Sequence, residues 1–436
     1  MNSDTTEWME VRTTQERFAE LGVAPADLLV PAEGVDMGCW PVIACDQYSS
    51  QADYWERADA LVGDLPSTLR LIIPEVYLET PRGRALQERT VQTMDVYLRE
   101  GVFRTLEQSF LYLERTTPHG LRRGLMAAFD LERYDYTPGN RMPIRATEGT
   151  IVNRLPPRIA VRRRAALECP HIMVLIDDPA DTVLGPLTAA RAGLEPVYDT
   201  ELMLGGGHIV GWRVGGDRWE SLAEAMEGLC PEGGMRFAVG DGNHSLATAK
   251  AYWDEIKGTL TEEERQRHPA RWALAELVNV HDAGLTFHPI HRVVFGVDDA
   301  ALLATVLWEM NRRGWGAVLG DGPEVNAAQS VRYACAGGEG WIHLKTPTCP
   351  LAVGSLQEAL EAVLTAEPQA TVDYVHGDEA ATALGCQPGN LAFLLDGMDK
   401  GELFPAVEKL GVLPKKAFSM GEADEKRFYL ECRAIR

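Results

Sequence analysis

The chain has 436 residues, of which 45% are hydrophobic and 24% are charged, a composition typical of a globular protein with a buried core. Its formal net charge of −22 argues against broad contact with nucleic acid or with an anionic membrane surface. A chain of this length predicts two lobes or one large mixed domain, and its partners are expected to be small molecules.

Three features of the sequence argue against export or membrane insertion. The first residues, MNSDTTEWMEVRTTQERF, have no basic region and no apolar core, so no signal peptide is expected. No run approaches the roughly 18 consecutive apolar residues that a membrane helix needs. The eight cysteines are scattered without a CxxC pair, which is typical of reduced thiols rather than of a disulfide framework or a zinc site. We therefore expect a cytoplasmic protein.

Strand-like and helix-like segments follow one another irregularly along the chain. Strands are predicted from Leu69, Ser109, Gly124 and His171, helices from Ala85, from Arg218 (with Ser221 as N-cap) and from Asp298 or Asp299, and a hairpin around Gly205 to Gly207. This order lacks the regular βαβ rhythm of a doubly wound sheet, so we expect a mixed α/β or α+β fold. The predicted lobes are residues 1–230, with mixed strands and helices, and residues 231–436.

The second predicted lobe contains the segment FAVGDGNHSLATAKAYW, residues 237–253. A short apolar strand stops at a Gly-Asp-Gly turn, and a helix resumes with apolar residues spaced 3, 4 and 3 apart, at Leu246, Ala249, Trp253 and Ile256. The polar residues of the turn therefore lie at a helix N-terminus, where free N–H groups and the helix dipole attract anions, phosphate above all.

The polar residues of this turn have two interpretations. Asp, Asn and Ser are all preferred N-caps, so capping alone explains any one of them. A cap requires only one such residue. Here four polar residues stand together, with Asp241 between Gly240 and Gly242 and with Asn243, His244 and Ser245 directly after Gly242. An Asp beside a His at a helix start can perform acid–base chemistry. Local physics leaves both interpretations open.

Five blocks of the chain resemble conserved segments of the domain-of-unknown-function 1015 family. GDGNHSLATA resembles its DGHHR signature, ACDQYSSQADYW its N-terminal stretch, IRATEGTIVNRLPPR its HExT region, and GLTFHPIHRVVFG its GLxILPTHR segment. GVLPKKAFSMGEADEKRFYLECR further resembles its C-terminal PxKS block. The DGxHR element is also similar to that of the ParB/sulfiredoxin-like superfamily, which includes free-serine kinases. The resemblance implies a ParB/sulfiredoxin-like element inside a larger two-lobed protein.

The resemblance also implies site residues. Asp241, His244 and Glu148 are the candidate catalytic residues, as bases or as a group that positions or protonates phosphate. The candidate substrate or phosphate contacts are Gly242, Asn243, Ser245, Asp46, Arg145, Thr150, His291, Arg292 and Lys416. Without the resemblance, these residues also have purely structural explanations. They can form turns, belong to a solvent-exposed loop, include a histidine with its hydrogen bonds made within the fold, or form a lysine pair on the surface. Ser245 stands where the related motifs usually carry Arg.

These residues predict phosphoryl transfer on a small hydroxyl metabolite, by a serine kinase or by a phosphoserine phosphotransferase or phosphatase. Mg²⁺ with ATP or ADP is the expected cofactor set if a nucleotide is the donor, with few protein ligands to the metal. The alternative is a non-catalytic nucleotide- or anion-binding regulatory module, which the missing Arg favours. A third interpretation is a scaffold whose polar turn serves only as a helix cap.

Overall fold

The computed structural model describes residues 12–49, 51–78, 80–230, 234–365, 367 and 369–436. The α-helices in these ranges are α1 (Thr14–Leu21), α2 (Ala52–Val62), α3 (Pro81–Arg99), α4 (Leu155–Arg162), α5 (Gly185–Ala190), α6 (Trp219–Gly228), α7 (Asn243–Lys257), α8 (Glu262–Arg267), α9 (Asp299–Arg312), α10 (Ala352–Leu364), α11 (Asp378–Gly385) and α12 (Leu403–Leu410). Within the described ranges, none of these helices combines the length and the hydropathy needed to cross a membrane.

The strands are interleaved with the helices along the whole chain. Those of the first half are β1 (Val23–Ala24), β2 (Ala26–Pro31), β3 (Val42–Ile43), β4 (Phe103–Thr117), β5 (Gly120–Asp130), β6 (Tyr134–Asp135), β7 (Ile144–Ala146), β8 (Leu167–Glu168), β9 (Met173–Ile176), β10 (Glu195–Leu202) and β11 (Gly207–Val214). The later strands are β12 (Phe237–Asp241), β13 (Trp272–Asn279), β14 (Phe287–Phe295), β15 (Val318–Gly320), β16 (Gln329–Cys335), β17 (Gly338–Leu344), β18 (Thr371–His376), β19 (Asn390–Leu394), β20 (Phe418–Met420), β21 (Phe428–Tyr429) and β22 (Arg433–Ala434). The predicted mixed α/β fold is confirmed.

The larger sheet has eleven strands, in the order β10-β11-β4-β5-β13-β9-β12-β7-β6, with β1 paired to β5 and β2 paired to β4. Most of its pairs are antiparallel, but β13 with β9, β12 with β7 and β6 with β7 run parallel. One face packs against α7 and α6, where Phe237, Val239, Leu246 and Trp253 are buried in one apolar cluster. This packing fixes where β12 ends and α7 begins.

The second sheet has seven strands and is antiparallel throughout. Its order is β15-β17-β16-β19-β14-β18, and β20 pairs with the start of β14. An apolar cluster that includes Val306, Leu356 and Phe393 lies between this sheet and the helices α9 and α10. This sheet positions Arg292 of β14.

The two sheets divide the chain at a different place from the predicted lobe boundary. Strands β12 and β13 follow residue 230, yet β12 pairs with β7 and β9, and β13 pairs with β5 and β9. The larger sheet therefore takes strands from both predicted lobes, and the change of sheet falls between β13 and β14. Residues 231–233, at the predicted boundary, lie outside the described residues, and the division into lobes stays a prediction.

The final segment of the chain contacts several distant elements in turn. Leu413 forms a parallel bridge with Glu148, β20 pairs with β14, β21 pairs with β3, and β22 pairs with β8. Residues 413–434 thus join the second sheet to the loops and short strands beside the first. We call this stretch the C-terminal segment.

Several predicted elements are confirmed, and two predictions are wrong. The hairpin at Gly205–Gly207 joins β10 to β11, and Asp298 caps α9 by accepting a hydrogen bond from Ala301 N at 2.9 Å. The predicted strand from Leu69 is instead two short 3₁₀ turns, Thr68–Arg70 and Glu75–Tyr77. Ser221 lies inside α6 and donates its hydroxyl to Arg218 O rather than capping the helix.

Candidate functional site

The predicted strand–turn–helix joint is present at β12 and α7. Strand β12 ends at Asp241, Gly242 adopts a left-handed backbone with φ of 76°, and α7 begins at Asn243. A Cβ on Gly242 would also lie 3.0 Å from Ile172 Cα, so both conformation and space require glycine here. The turn carries no side-chain cap, and the free N–H groups of the first turn of α7 are therefore directed out of the helix end.

Asn243 has a local structural explanation. Its side chain is buried, accepts a hydrogen bond from Thr147 N at 3.2 Å, and donates from Nδ2 to Val239 O at 3.3 Å. Thr147 in turn donates its hydroxyl to Val239 O at 2.6 Å. These bonds fasten the end of β7 to the end of β12, and they bring the loop after Thr147 to the start of α7.

Two carboxylates and two lysines meet at this joint. Asp241 lies 3.3 Å from Lys426 Nζ through Oδ2, and it accepts a hydrogen bond from Gly242 N at 2.9 Å through Oδ1. Burial raises the pKa of Glu148, and the negative charge of Asp241 adds to this effect, whereas the charges of Lys416 and Lys426 oppose it. The four groups are thus close enough to act on one another's charge, and Glu148 holds a proton more tightly than an exposed carboxyl.

Arg292 positions Lys416. The guanidinium of Arg292 is fully buried and donates from Nη2 to the carbonyl oxygens of Lys415, at 2.8 Å, and Lys416, at 3.0 Å. It also donates from Nη1 to Ile290 O. Lys416 has a left-handed backbone, with φ of 55°, which is uncommon for a residue other than glycine. The structure therefore gives Arg292 backbone partners at the place where the sequence predicts a phosphate contact.

The other predicted contact on β14, His291, faces a different set of groups. His291 is fully buried, accepts a hydrogen bond from Leu395 N at 3.2 Å, and lies 3.1 Å from Asp378 Oδ1 through Nε2. Burial lowers its pKa, and the charge of Asp378 opposes that shift. These contacts belong to the second sheet and to α11, so the structure does not group His291 with Asp241.

Two further predicted contacts are Arg145, on β7, and Thr150, in the loop between β7 and α4. Arg145 is buried, donates from Nε to Met142 O at 2.8 Å, and has its pKa lowered by burial, while the charge of Glu408 opposes the shift. Its contacts lie away from the groups around Asp241. The hydroxyl of Thr150 is buried and has no hydrogen-bond partner within the described part of the chain. Thr150 thus has an unused hydroxyl donor, and it directly precedes Ile151, whose N–H donates to His244 Nε2.

His244 is held as a neutral imidazole. Its Nε2 accepts a hydrogen bond from Ile151 N at 3.2 Å, so the neutral ring carries its proton on Nδ1. Burial lowers the pKa of His244, and the charges of Arg158 and Arg154 lower it further, whereas Asp46 opposes the shift. A ring in this state donates a hydrogen bond from Nδ1 and is poorly suited to supply a proton to phosphate.

A chain of hydrogen bonds leads from α7 to the C-terminal segment. Ser245 Oγ lies 3.3 Å from His171 Nε2, and His171 Nδ1 lies 2.8 Å from the hydroxyl of Tyr429. Burial opposes the ionisation of Asp46, but the charge of His171, the hydrogen bond from Gln47 and the charge of Lys426 hold its pKa below the ordinary value. Asp46 is therefore an ionised carboxylate close to both His171 and His244.

A cavity of about 770 Å³ adjoins the first turns of α7. Its polar lining includes Arg154, Arg158, His171 and Ser245, and its apolar lining includes Ile72 and Met94. Ligand sites in proteins usually combine such a volume with apolar walls and a few polar groups. Within the described ranges, no group of three or more His, Cys, Asp or Glu side chains is arranged to hold a metal ion.

Three residues of the site were missed by the sequence analysis. Lys426 and Tyr429 lie in the C-terminal block that resembles the family, but nothing in their local sequence distinguishes them from surface residues. His171 is the first residue of a predicted strand and has no partner close to it in sequence. Only their three-dimensional neighbours, Asp241 for Lys426 and Ser245 for His171, reveal them.

Residues 25–364 match the family described as protein of unknown function (DUF1015). The chain belongs to the DUF1015 family. The match includes Asp46, Glu148, Asp241 and Arg292 and ends before the C-terminal segment. No curated protein matches the chain.

The DUF1015 chain also aligns with several solved structures. A free serine kinase mutant in complex with AMP shares 10% identity, with a TM-score of 0.37, over 71% of this chain and 92% of that one. A conserved hypothetical protein from Pyrococcus furiosus shares 10% identity, with a TM-score of 0.33, over 68% and 90%. SbnI with a C-terminal truncation from Staphylococcus aureus shares 11% identity, with a TM-score of 0.35, over 68% and 82%. These scores are low, and the similarity of the motif to the ParB/sulfiredoxin-like superfamily stays a prediction.

Proposed function

We propose that the joint between β12 and α7 transfers a phosphoryl group to or from a small hydroxyl metabolite, with serine or phosphoserine as the favoured substrate. The observation that supports this most is the meeting of Asp241 and Glu148 with Lys416 and Lys426 at the start of α7. Two residues of the same helix, Ser245 and Thr248, line the neighbouring cavity. Phosphoryl transfer needs positioned positive charge for the phosphate and a base for the hydroxyl, and this set contains both.

The proposed roles follow from the contacts of each group. The N–H groups of the first turn of α7 and the two lysines stabilise the negative charge of the phosphate. Glu148, whose pKa is raised by burial, exchanges a proton with the substrate hydroxyl. Asp241 holds Lys426 in place at 3.3 Å and orients the substrate. His244, whose Nε2 accepts a hydrogen bond from Ile151 N, offers its Nδ1 proton to the phosphate or the substrate.

The cavity suits a nucleotide as the phosphate donor. Arg154 and Arg158 supply positive charge to its lining, and Ile72 and Met94 supply apolar surface on which a base could rest. A magnesium ion would have to be held mainly by phosphate oxygens, with Asp241 or Glu148 as a single protein ligand, because no group of three or more His, Cys, Asp or Glu side chains is arranged to hold a metal within the described residues. Such an ion would neutralise charge on the transferred phosphoryl group.

A binding measurement followed by a turnover measurement tests this proposal. Thermal shift with ATP, ADP, AMP, serine and phosphoserine, each with and without Mg²⁺, identifies the ligands, and phosphorus NMR of the mixtures then follows transfer or hydrolysis. We expect a nucleotide or phosphoserine to stabilise the protein and to turn over. Asp254→Asn, which changes a carboxylate in the last turns of α7 that pairs with Lys250 and Lys257, is the matched control for Asp241→Asn.

The second candidate is a non-catalytic nucleotide- or anion-binding module. The observation that favours it is Ser245, whose hydroxyl interacts with His171 where related motifs place an arginine. Binding without turnover of any nucleotide and hydroxyl pair would support this candidate over phosphoryl transfer. Absence of both binding and turnover would contradict both proposals and leave the polar turn as a helix cap.

A further inference from the structure

Two cysteines that are far apart in sequence lie opposite each other in neighbouring strands. In the antiparallel pair of β8 and β22, Leu167 is opposite Ala434 and Glu168 is opposite Arg433. Extending this register by one residue places Cys169 opposite Cys432. Opposed residues of antiparallel strands have Cα atoms about 4.5–5.5 Å apart, which lies within the range that a disulfide spans.

The side chains agree with the register. The two Sγ atoms are 2.7 Å apart, closer than any non-bonded approach of two apolar side chains. The backbone of Cys432 is held by two hydrogen bonds of 2.8 Å to Leu29, one in each direction. The cysteines can therefore be joined without moving either strand.

The two thiols have unequal access to solvent. Cys432 is fully buried, whereas Cys169 is partly exposed and borders the 770 Å³ cavity between Glu168 and His171. Burial raises the pKa of the Cys432 thiol well above its ordinary value, and the hydrogen bond with Cys169 raises it further. A small oxidant in the cavity can thus reach the sulfur of Cys169, whereas the sulfur of Cys432 is buried beside it.

We propose that Cys169 and Cys432 are a reversible disulfide site, formed when a hydroperoxide enters the cavity. The Cys169 thiolate attacks the peroxide, an S–O bond forms as the O–O bond breaks, and hydroxide leaves and takes up a proton as water. The sulfur of Cys432 then attacks the sulfenic sulfur of Cys169, the S–S bond forms, and a second water leaves. Two thiols and one hydrogen peroxide give one disulfide and two waters, and an added dithiol reverses the change.

The bond would secure one wall of the cavity. Cys169 lies two residues before His171, and Cys432 lies three residues after Tyr429, while His171 and Tyr429 bond to each other at 2.8 Å. A disulfide at this point fastens the C-terminal segment to the strand that leads into the cavity, across a loop of more than 260 residues. This inference does not rest on the proposed phosphoryl transfer.

Peptide mapping of the full chain tests the inference. The protein is treated with a small excess of hydrogen peroxide, free thiols are alkylated, and the tryptic peptides are identified by mass spectrometry. We expect the peptides that contain Cys169 and Cys432 to appear as one linked species that dithiothreitol separates. The linked protein is expected to melt at least about 2 °C higher than the reduced protein.

Two variants serve as controls. Cys386→Ser removes an exposed thiol at the C-terminal end of α11 and should leave the link intact. Cys169→Ser should abolish the link. Alkylation of both Cys169 and Cys432 under conditions that oxidise Cys386 would overturn the inference. Oxidation of Cys169 to a sulfinic acid with Cys432 still alkylated would also overturn it. The mapping of the unaltered protein decides the question even if Cys169→Ser fails to fold.

Discussion

The guanidinium of Arg292 donates a hydrogen bond to the carbonyl oxygen of Lys416, at 3.0 Å, from a fully buried position on β14. The same nitrogen donates to the carbonyl oxygen of Lys415 at 2.8 Å. Burial lowers the pKa of Arg292 to about 10, so the group remains charged at neutral pH. Arg292 thus binds the backbone of Lys416, the residue whose side-chain charge acts on Glu148.

Arg292→Met is expected to lower the free energy of unfolding by roughly 2 to 5 kcal/mol, because the carbonyl oxygens lose buried charged donors. Urea unfolding measures this change. Arg332→Met is the matched control, since Arg332 forms a partly exposed ion pair with Asp378, of the kind that contributes at most about 1 kcal/mol. Unchanged stability together with weakened phosphate binding would show instead that Arg292 contacts a ligand.

Asp241→Asn is expected to leave stability nearly unchanged and to reduce turnover by roughly 10²-fold, because Lys426 loses the carboxylate that positions it. The amide oxygen can still accept the hydrogen bond from Gly242 N, but the negative charge beside Lys426 is lost. Melting temperature and phosphoryl-transfer rate are measured on the same preparation, with Asp254→Asn as the control. Turnover equal to that of the unaltered protein would remove Asp241 from the proposed chemistry and make Glu148 the next residue to test.

Glu148→Gln is expected to stabilise the protein at pH 7.5 and not at pH 4. Burial raises the pKa of folded Glu148 above its ordinary value of 4.5, so the fold favours the protonated form. The contribution of this carboxyl to stability is full below pH 4.5 and is lost as the pH rises through the raised pKa. The amide avoids that loss, and urea unfolding at several pH values measures it.

Glu263→Gln, which changes an exposed side chain of α8 paired with Arg267, is the control for this pH series. It should shift stability by less than about 0.5 kcal/mol at every pH. If Glu148→Gln behaves in the same way, Glu148 is not held in a raised-pKa environment, and its proposed role as the base fails.

The ring of His244 is expected to titrate below pH 6.5 in the free protein. Burial lowers its pKa, and Arg158 and Arg154 lower it further, so the unfolded chain binds a proton first as the pH falls below 6.5. The stability that neutral His244 contributes is therefore lost toward acid pH. A bound phosphate group should raise this pKa, because negative charge favours the imidazolium. Proton NMR with and without phosphoserine measures both effects, and an unshifted resonance at saturation would place the phosphate away from His244.

The joint at Gly242 could be predicted from sequence because its signals are local. Paired glycines, a short apolar strand and a 3.6-residue apolar period all lie within about twenty residues of one another. The N-cap at Asp298 was predictable for the same reason. The segment from Leu69 has the composition of a strand, but its residues are buried as irregular turns beside α3, where apolar packing outweighs strand propensity.

The rest of the candidate site could not be predicted, since it depends on contacts between distant parts of the chain. Lys426 meets Asp241 across 185 positions, and Tyr429 meets His171 across 258. Arg292 was found by its resemblance to a family segment, but its backbone partners show only in the folded chain. Charge and periodicity identify candidate residues, whereas register and burial decide what each one contacts.

The C-terminal segment has a consequence for biosynthesis. A ribosome makes the strands of the larger sheet β4, β5, β9, β12 and β13 well before residues 413–434, and domains generally begin to fold as they emerge. The nascent protein can thus form the larger sheet and the start of α7 while Lys416, Lys426 and Tyr429 are still to be added. The groups around the start of α7 are therefore complete only after the C-terminal segment pairs with β14, β3 and β8, which are made earlier.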